Sequence, residues 1–425
     1  MGKIAFVFPG QGSQYVGMGK DFYEALPACK EVYEAANKAT GLDVAALCFE
    51  ENDKINITEY TQIAMLTTEL AILKAVQDKG IQADMTAGLS LGEYGALYTA
   101  GVMGMEDIFK VVRKRGLYMQ EAVPTGGAMT AVLGLDNETI EKICAETEGN
   151  VSVANYNCPG QTVITGEEGA VAAAAQALSA AGAKRCIPLK VSGPFHSSML
   201  QGAGKKLGDE LANVTLQPMQ IPYLTNVTAD YVKDIAEVKE LLERQVSSSV
   251  RWQQSVERML ADGVDTFIEI GPGKTLTGFL KKINKDMTAI NIEKIEDLAK
   301  LDALFLWVVD LFDFEANMVK GMNRHLQGED IILVACKRDL IPSSVGNEKI
   351  GQFIIKRLKE HGIFVSHNDI FPFIFFSFLS LGTNWVVKIL FKKQYLCFQF
   401  HHQLLYNFHH LQNFHHYQFL FHQFL

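Results

Sequence analysis

Gly88-Leu89-Ser90-Leu91-Gly92 is the stretch on which the fold turns. Residues 81–87 before it read as a strand, and Glu93-Tyr94-Gly95-Ala96-Leu97 after it open a helix. A small-x-Ser-x-small pentad between strand and helix is the nucleophile-elbow pattern. Its glycines permit the sharp turn that lifts a serine hydroxyl clear of the strand end. The following helix aims its free N–H groups and its positive dipole end at that hydroxyl. The same pentad also occurs as an ordinary glycine-rich turn; the strand before it and the helix after it favour a nucleophile.

Outward from the elbow, residues 60–79 carry helical periodicity and stop at Gly80, a C-cap. Residues 4–8 form a short continuous apolar run, the signature of a buried strand. The run ends in Pro9-Gly10-Gln11-Gly12-Ser13-Gln14, where Gln11 stands just past the strand end and its backbone N–H can face a ligand. No Gly-Lys-Ser/Thr follows, so this turn is not a phosphate loop. Residues 105–121 read as the next helix. Ile108, Val111, Val112 and Met119 mark its apolar face, and Arg115, seven residues after Ile108, falls on that face. A buried guanidinium requires an anionic partner. That partner is either a structural carboxylate such as Glu93 or a substrate carboxylate held by two parallel hydrogen bonds.

Residues 127–191 alternate compactly. A strand (128–134) precedes a helix capped by Asp136 and ending at Gly149. Two strands (151–157 and 162–166) flank Cys158-Pro159-Gly160-Gln161, and an alanine-rich helix (167–181) leads to a last strand (183–191). This β-α-β-β-α-β order is ferredoxin-like and reads as a small domain inserted into a larger one. Pro194-Phe195-His196-Ser197 follows, and His196 is the only histidine in the first 324 residues. A serine nucleophile needs a general base near neutral pH, and histidine is the usual one. Further on, residues 251–262 read as a helix, 265–270 as a strand, 276–283 as a helix, 287–292 as a strand and 295–304 as the start of a helix. Gly271-Pro272-Gly273-Lys274-Thr275 imitates the end of a phosphate loop, but Ile268 stands where the first glycine belongs.

Composition narrows the class. The net charge is −9 with no basic block to offset it, which argues against nucleic-acid binding. The cysteines at 29, 48, 144, 158, 186, 336 and 397 show no C-x-x-C pairing or metal-ligand spacing, as expected of reduced thiols in a cytoplasmic protein. The apolar run at the start is too short for a signal peptide. Residues 371–425 differ in kind, with thirteen Phe, seven His and no acidic residue.

Taken together, the motifs resemble the malonyl-CoA:acyl carrier protein transacylase family of bacterial fatty-acid synthesis over residues 1 to about 304. They occur in the family's order: Phe8-Pro9-Gly10-Gln11-Gly12-Ser13-Gln14, Gly88-Leu89-Ser90-Leu91-Gly92-Glu93, Arg115 and Gly127-Ala128-Met129. Asn155-Tyr156-Asn157-Cys158-Pro159-Gly160-Gln161, Pro194-Phe195-His196-Ser197 and Glu269-Ile270-Gly271-Pro272-Gly273 complete the set. The resemblance implies an α/β fold, with an α/β-hydrolase-like large domain (1–126 and 192–304) and the ferredoxin-like small domain (127–191).

It also implies roles. Ser90 attacks the malonyl thioester while His196 takes its proton, and the backbone N–H groups of Gln11 and Leu91 hold the oxyanion. Arg115 grips the malonyl carboxylate, and Phe195 crowds out a branched methylmalonyl group. Malonyl-CoA and acyl carrier protein are the implied partners, with no cofactor, metal, nucleic acid or (for residues 1–304) membrane. Lys184, Arg185 and Lys190 are candidates for meeting an acidic carrier protein, or else form a solvated basic strand edge.

Two departures stand out. Leu89 replaces the histidine of many members, and the carbonyl expected to orient His196 falls in Ser249-Val250-Arg251-Trp252, with Arg251 where some members have Gln. Other readings of the same residues are a serine thioesterase or esterase, which needs no carboxylate clamp, and a nucleotide-binding or membrane-tethered fusion. The last rests on residues 306–425; the segment 305–370 resembles a truncated, circularly permuted GTPase. There Cys336-Lys337-Arg338-Asp339 stands for a guanine-reading motif without its asparagine, and no phosphate loop follows. Residues 371–425 look like a spurious Phe/His-rich tail, and 370–387 are uncharged enough for a weak membrane-span signal that Pro372, Thr383 and Asn384 spoil.

Overall fold

A computed structural model describes residues 3–189, 191, 193–301, 303–310, 331–336, 347–360, 380–381, 384–391, 394–401 and 418–421. The chain divides into two compact units, Met1–Asp297 and Leu298–Leu425.

The first unit is built on a parallel sheet. Strand β1 (Lys3–Phe8) leads through helices α1 (Lys20–Ala25), α2 (Pro27–Thr40), α3 (Val44–Phe49) and α4 (Thr58–Asp78) to strand β2 (Met85–Gly88). Helices α5 (Gly92–Thr99) and α6 (Met105–Ala122) follow. Helix α4 is buried on all faces from Ile63 to Leu73, Thr67, Thr68 and Glu69 included, and packs against α2 and α6. Its Thr67 and Thr68 hydroxyls are satisfied by the carbonyls of Ile63 and Ala64, one turn back.

The chain then builds a second sheet from β3 (Gly127–Leu133), α7 (Asn137–Glu146), β4 (Val151–Cys158), β5 (Gln161–Glu167), α8 (Glu168–Ala180) and β6 (Arg185–Pro188). It is antiparallel with order β4-β5-β3-β6, the pairing of a split β-α-β unit. Val132, Ile140, Ile164, Ala174 and Leu178 form its core between sheet and helices. Helices α9 (Gln201–Ala212), α10 (Val238–Gln245) and α11 (Trp252–Ala261) return the chain to β7 (Val264–Ile270), α12 (Thr275–Ile283) and β8 (Thr288–Ile292).

The parallel sheet has the order β2-β1-β7-β8. Its central strands are apolar on both faces, with Phe6, Val7, Phe8, Phe267, Ile268 and Ile270 all buried. Phe8 pairs with Gly88 in register, so the loop after β1 and the elbow after β2 leave the sheet side by side at its carboxyl edge. That edge is where open α/β sheets bind ligands. Val250 packs its side chain into the core beside the parallel sheet and bonds to β4, its N–H donating to Ala154 and its carbonyl accepting from Tyr156, at 2.7 and 2.9 Å.

Several expected boundaries move. The strand expected over 81–87 begins only at Met85, because Asp84 meets β1 with its side chain: the Ile4 N–H donates to the Asp84 carboxylate at 2.8 Å. The strand expected over 183–191 is Arg185–Pro188; the Leu189 N–H still donates to the Met129 carbonyl at 2.9 Å, and the chain leaves β3 where the Val191 N–H turns back to Leu189. The Asp136 carboxylate does cap α7, accepting from the Thr139 N–H at 2.8 Å, but the helix ends at Glu146, not Gly149. Thr147 is already extended there. In place of a helix over 295–304 there is a short 3-10 turn, Ile295–Lys300. Helices α1–α3, α9 and α10 occupy stretches for which the sequence reading made no assignment.

In the second unit, Ala303–Asp310 and Ile331–Cys336 pair in parallel, and Asn347–Glu360 is a helix that buries Ile354 and Leu358. Asn384–Phe391 and Gln394–His401 pair antiparallel. Lys337-Arg338-Asp339 of the guanine-like motif and residues 370–379 of the uncharged stretch lie outside the described residues. No helix among the described residues is long and apolar enough to cross a membrane.

Candidate active site

Ser90 occupies the turn between β2 and α5 with φ 54, a left-handed conformation costly for a side chain and tolerated only where the surroundings enforce it. The enforcement comes from its neighbours. A Cβ on Gly88 would lie 1.9 Å from the carbonyl carbon and oxygen of Gly92, and one on Gly92 would lie 2.1 Å from the Phe8 carbonyl oxygen. Only glycine fits at either end of the pentad. The Asn226 side chain pins the turn further, accepting from the Ser90 N–H at 2.6 Å and donating to the Gly88 carbonyl at 2.6 Å.

Three side chains meet at the tip. Ser90 Oγ lies 2.8 Å from His196 Nε2 and accepts from Arg115 Nη2 at 3.2 Å. His196 also has a positive φ, 61, and is almost wholly buried. Its Nδ1 donates to the carbonyls of Gln245 at 2.9 Å and Ser248 at 3.2 Å, which leaves Nε2 free to accept the serine proton. These carbonyls close α10 and begin the segment after it. The expected stretch 249–252 does not supply them, because Val250 turns its carbonyl to Tyr156 instead. Burial, and then the Arg115 charge, push the His196 pKa down to about 4, so the imidazole is neutral at physiological pH.

Arg115 is buried on the inner face of α6. Nη1 donates to Gln62 Oε1 at 2.7 Å and Nη2 to Gln245 Oε1 at 2.9 Å, and the guanidinium lies 5.4 Å from the Tyr94 ring centre. Its partners are therefore amide oxygens, the Ser90 hydroxyl and an aromatic face, and no carboxylate touches it. Glu93, the structural partner weighed from sequence, is fully buried nearby but bonds to the Gln245 Nε2 and the Asn226 N–H. Desolvation lowers the Arg115 pKa from its usual value, and the side chain is held by neutral groups.

The remaining candidates surround this triad. The backbone N–H groups of Gln11 and Leu91 donate to no acceptor among the described residues, as an oxyanion site requires. The Gln11 loop is pressed onto the elbow, since a Cβ on Gly10 would lie 2.7 Å from the Leu89 carbonyl oxygen. The Gln11 side chain is tied back to Thr58 at 3.1 Å. Phe195 is buried beside the histidine. Gln62, Asn226 and Gln245 were not legible beforehand: each is a lone polar residue in an unremarkable stretch, and only the fold brings it to Ser90 or Arg115. Among the described residues no cluster of His, Cys, Asp or Glu is arranged to hold a metal ion.

The acyl transferase domain family matches residues 5–302. The malonyl CoA-acyl carrier protein transacylase of Bacillus subtilis is 45% identical over 303 residues, 70% of this chain and 96% of that protein. The crystal structure of malonyl CoA-acyl carrier protein transacylase from Clostridium perfringens is 44% identical with a TM-score of 0.69, covering 70% of this chain and 96% of that one. A structure described as a type II PKS acyl-carrier protein in complex with its malonyl-transacylase is 40% identical with a TM-score of 0.68, over 70% and 97% of the two chains.

Proposed function

The chain belongs to the acyl transferase domain family, and from that premise we propose that Ser90, His196 and Arg115 are the machinery with which it moves a malonyl group from CoA to acyl carrier protein. It is an S-malonyltransferase of fatty acid biosynthesis. The observation that carries the assignment of residues is that one hydroxyl, Ser90 Oγ, lies within hydrogen-bond reach of both an imidazole and a buried, carboxylate-free guanidinium.

The chemistry follows from that geometry. The malonyl carboxylate enters opposite Arg115, whose planar fork donates two parallel hydrogen bonds. This anchors the three-carbon acyl group with its thioester carbon over Ser90. His196 Nε2 takes the serine proton as Oγ attacks, and the N–H groups of Gln11 and Leu91 receive the developing oxyanion. The tetrahedral intermediate collapses with loss of the CoA thiolate, which takes the proton from His196. The pantetheine thiol of the carrier protein then enters, gives its proton to His196 and attacks the malonyl ester in reverse order. Phe195, packed before His196, narrows the space beside the methylene of the acyl group.

We assign residues 1–126 and 192–304 to the catalytic domain and 127–191 to the inserted small domain, and place the enzyme in the cytoplasm. The GTPase-like segment 305–370, which lacks a phosphate loop, and the tail 371–425 take no part in the reaction in this reading.

Intact-mass measurement after incubation with malonyl-CoA alone tests the reading. One malonyl group is expected on the native chain and none on Ser90→Ala. A malonyl adduct that survives in Ser90→Ala, or release of free malonate without an acceptor at the transfer rate, would favour a different nucleophile or a hydrolase.

A further inference from the structure

Glu93 is fully buried one residue into α5, three residues beyond the nucleophile. It bonds to none of Ser90 Oγ, His196 or Arg115, but it holds the two amides that do the holding. Its Oε2 accepts from Gln245 Nε2 at 2.8 Å and from the Asn226 N–H at 3.0 Å. Gln245 touches each of the three central residues. Its Nε2 donates to the Ser90 carbonyl at 2.9 Å, its Oε1 accepts from Arg115 Nη2 at 2.9 Å, and its main-chain carbonyl accepts from His196 Nδ1 at 2.9 Å.

The two ends of a glutamine amide have nearly the same shape, so its neighbours decide which way it faces. Two acceptors, the Ser90 carbonyl and the ionised Glu93 carboxylate, lie on one side, which draws the NH2 end toward them and turns the oxygen toward Arg115. The reverse orientation would set an N–H donor against the guanidinium and leave the carboxylate facing an oxygen. Arg115 needs that oxygen, because its Nη2 is otherwise held by the serine hydroxyl alone.

We propose that Glu93 is a positioning residue for malonyl recognition: acting through the Gln245 amide, it fixes the Arg115 fork in the orientation that receives the free carboxylate of the substrate. The proposal rests on the function given above. Bulk packing by Glu93 would affect all acyl donors alike, whereas orientation of Arg115 matters only to a donor that carries a carboxylate.

The test compares the rates of acyl-enzyme formation from malonyl-CoA and acetyl-CoA, with thermal melting of each variant to follow folding. Glu93→Gln keeps the shape but removes the charged one of the two acceptors that orient the amide, so the malonyl-over-acetyl preference should fall about tenfold, through KM for malonyl-CoA, with the acetyl rate nearly unchanged. Glu93→Asp, which keeps the carboxylate, should retain more of the preference than Glu93→Gln. Gln245→Ala deletes the amide but not the main-chain carbonyl on His196. In that background Glu93→Gln should cost no further preference.

Equal losses with both donors, additive losses in the double variant, or an unchanged preference in Gln245→Ala would each overturn the proposal. If Glu93→Gln fails to fold, Glu93→Asp and Gln245→Ala decide it by the same ratio. A native chain that forms no malonyl adduct would instead overturn the function on which the proposal stands.

Discussion

At the scale of single residues, the histidine has an unusual pH signature. Burial and Arg115 hold His196 at about 4, against 6.5 for the free side chain. Acyl-enzyme formation should therefore keep its full rate well below neutral pH and fall only as the pH drops toward that value. Pairing of Arg115 with a malonyl carboxylate cancels the charge that helps depress the imidazole. The acid limb measured with malonyl-CoA should thus lie roughly one unit above that measured with acetyl-CoA. Stability responds to the same group. Between pH 6.5 and 4 the unfolded chain binds a proton there that the folded chain does not, so stability is intact above 6.5 and lost as the pH falls through 4. The loss is about 3 kcal/mol. Denaturant melts of His196→Gln should lack that loss. Glu93 acts in the opposite sense: burial raises it to about 7, so its contribution is present below 4.5 and declines as the pH rises through 7.

The same scale shows what a sequence reveals about a site. Ser90 and His196 were legible because each is chemically singular in its context, one inside a glycine pentad and the other the only early imidazole. Arg115 was legible because a charge on an apolar helical stripe is a visible contradiction. Its actual partners were not, because Gln62 and Gln245 lie 53 and 130 residues away and nothing local marks them. In place of Gln62 and Gln245 the sequence offered Glu93, which is near in space but reaches the cation only through an amide. Substituting Arg115 by Ala should abolish the malonyl preference while leaving acetylation of Ser90, measured by intact mass.

At the scale of elements, the elbow is a steric device more than a flexible one. Gly88 and Gly92 are required by the approach of the turn to itself and to β1, and neither has room for a methyl group. Gly88→Ala should therefore act on Ser90 through the backbone, with loss of malonyl adduct and a stability cost of about 3 kcal/mol or more in denaturant melts. Strands β1, β2 and β7 and helix α6 were visible as apolar runs and periodicity. Their ends were less so, because they are set by cross-chain bonds such as Ile4 to Asp84. Helix α10, which delivers the Gln245 carbonyl to His196, went unassigned, and so the orienting carbonyl was sought a few residues too late. Local pattern names an element; what an element delivers to the site depends on where it stops.

At the scale of the whole molecule, every residue placed around Ser90 lies between Gln11 and Ser248, and the parallel sheet that aligns them closes with β8 at Ile292. The family match ends at residue 302, and the Bacillus subtilis relative is covered over 96% of its length by this part of the chain. The compositional break noted in the sequence, from a mixed globular pattern to a stretch of thirteen Phe without one acidic residue, falls well beyond that point. A fragment of residues 1–304 should then transfer malonyl to acyl carrier protein with the same kcat/KM as the full chain, and should remain in solution in larger yield because it lacks the aromatic tail. Assay of both forms at equal active-site concentration, titrated by malonyl adduct, checks this. A tenfold loss in the fragment would mean that the segment after residue 304 supports the site or its folding, and the boundary drawn from motifs and composition would have to move.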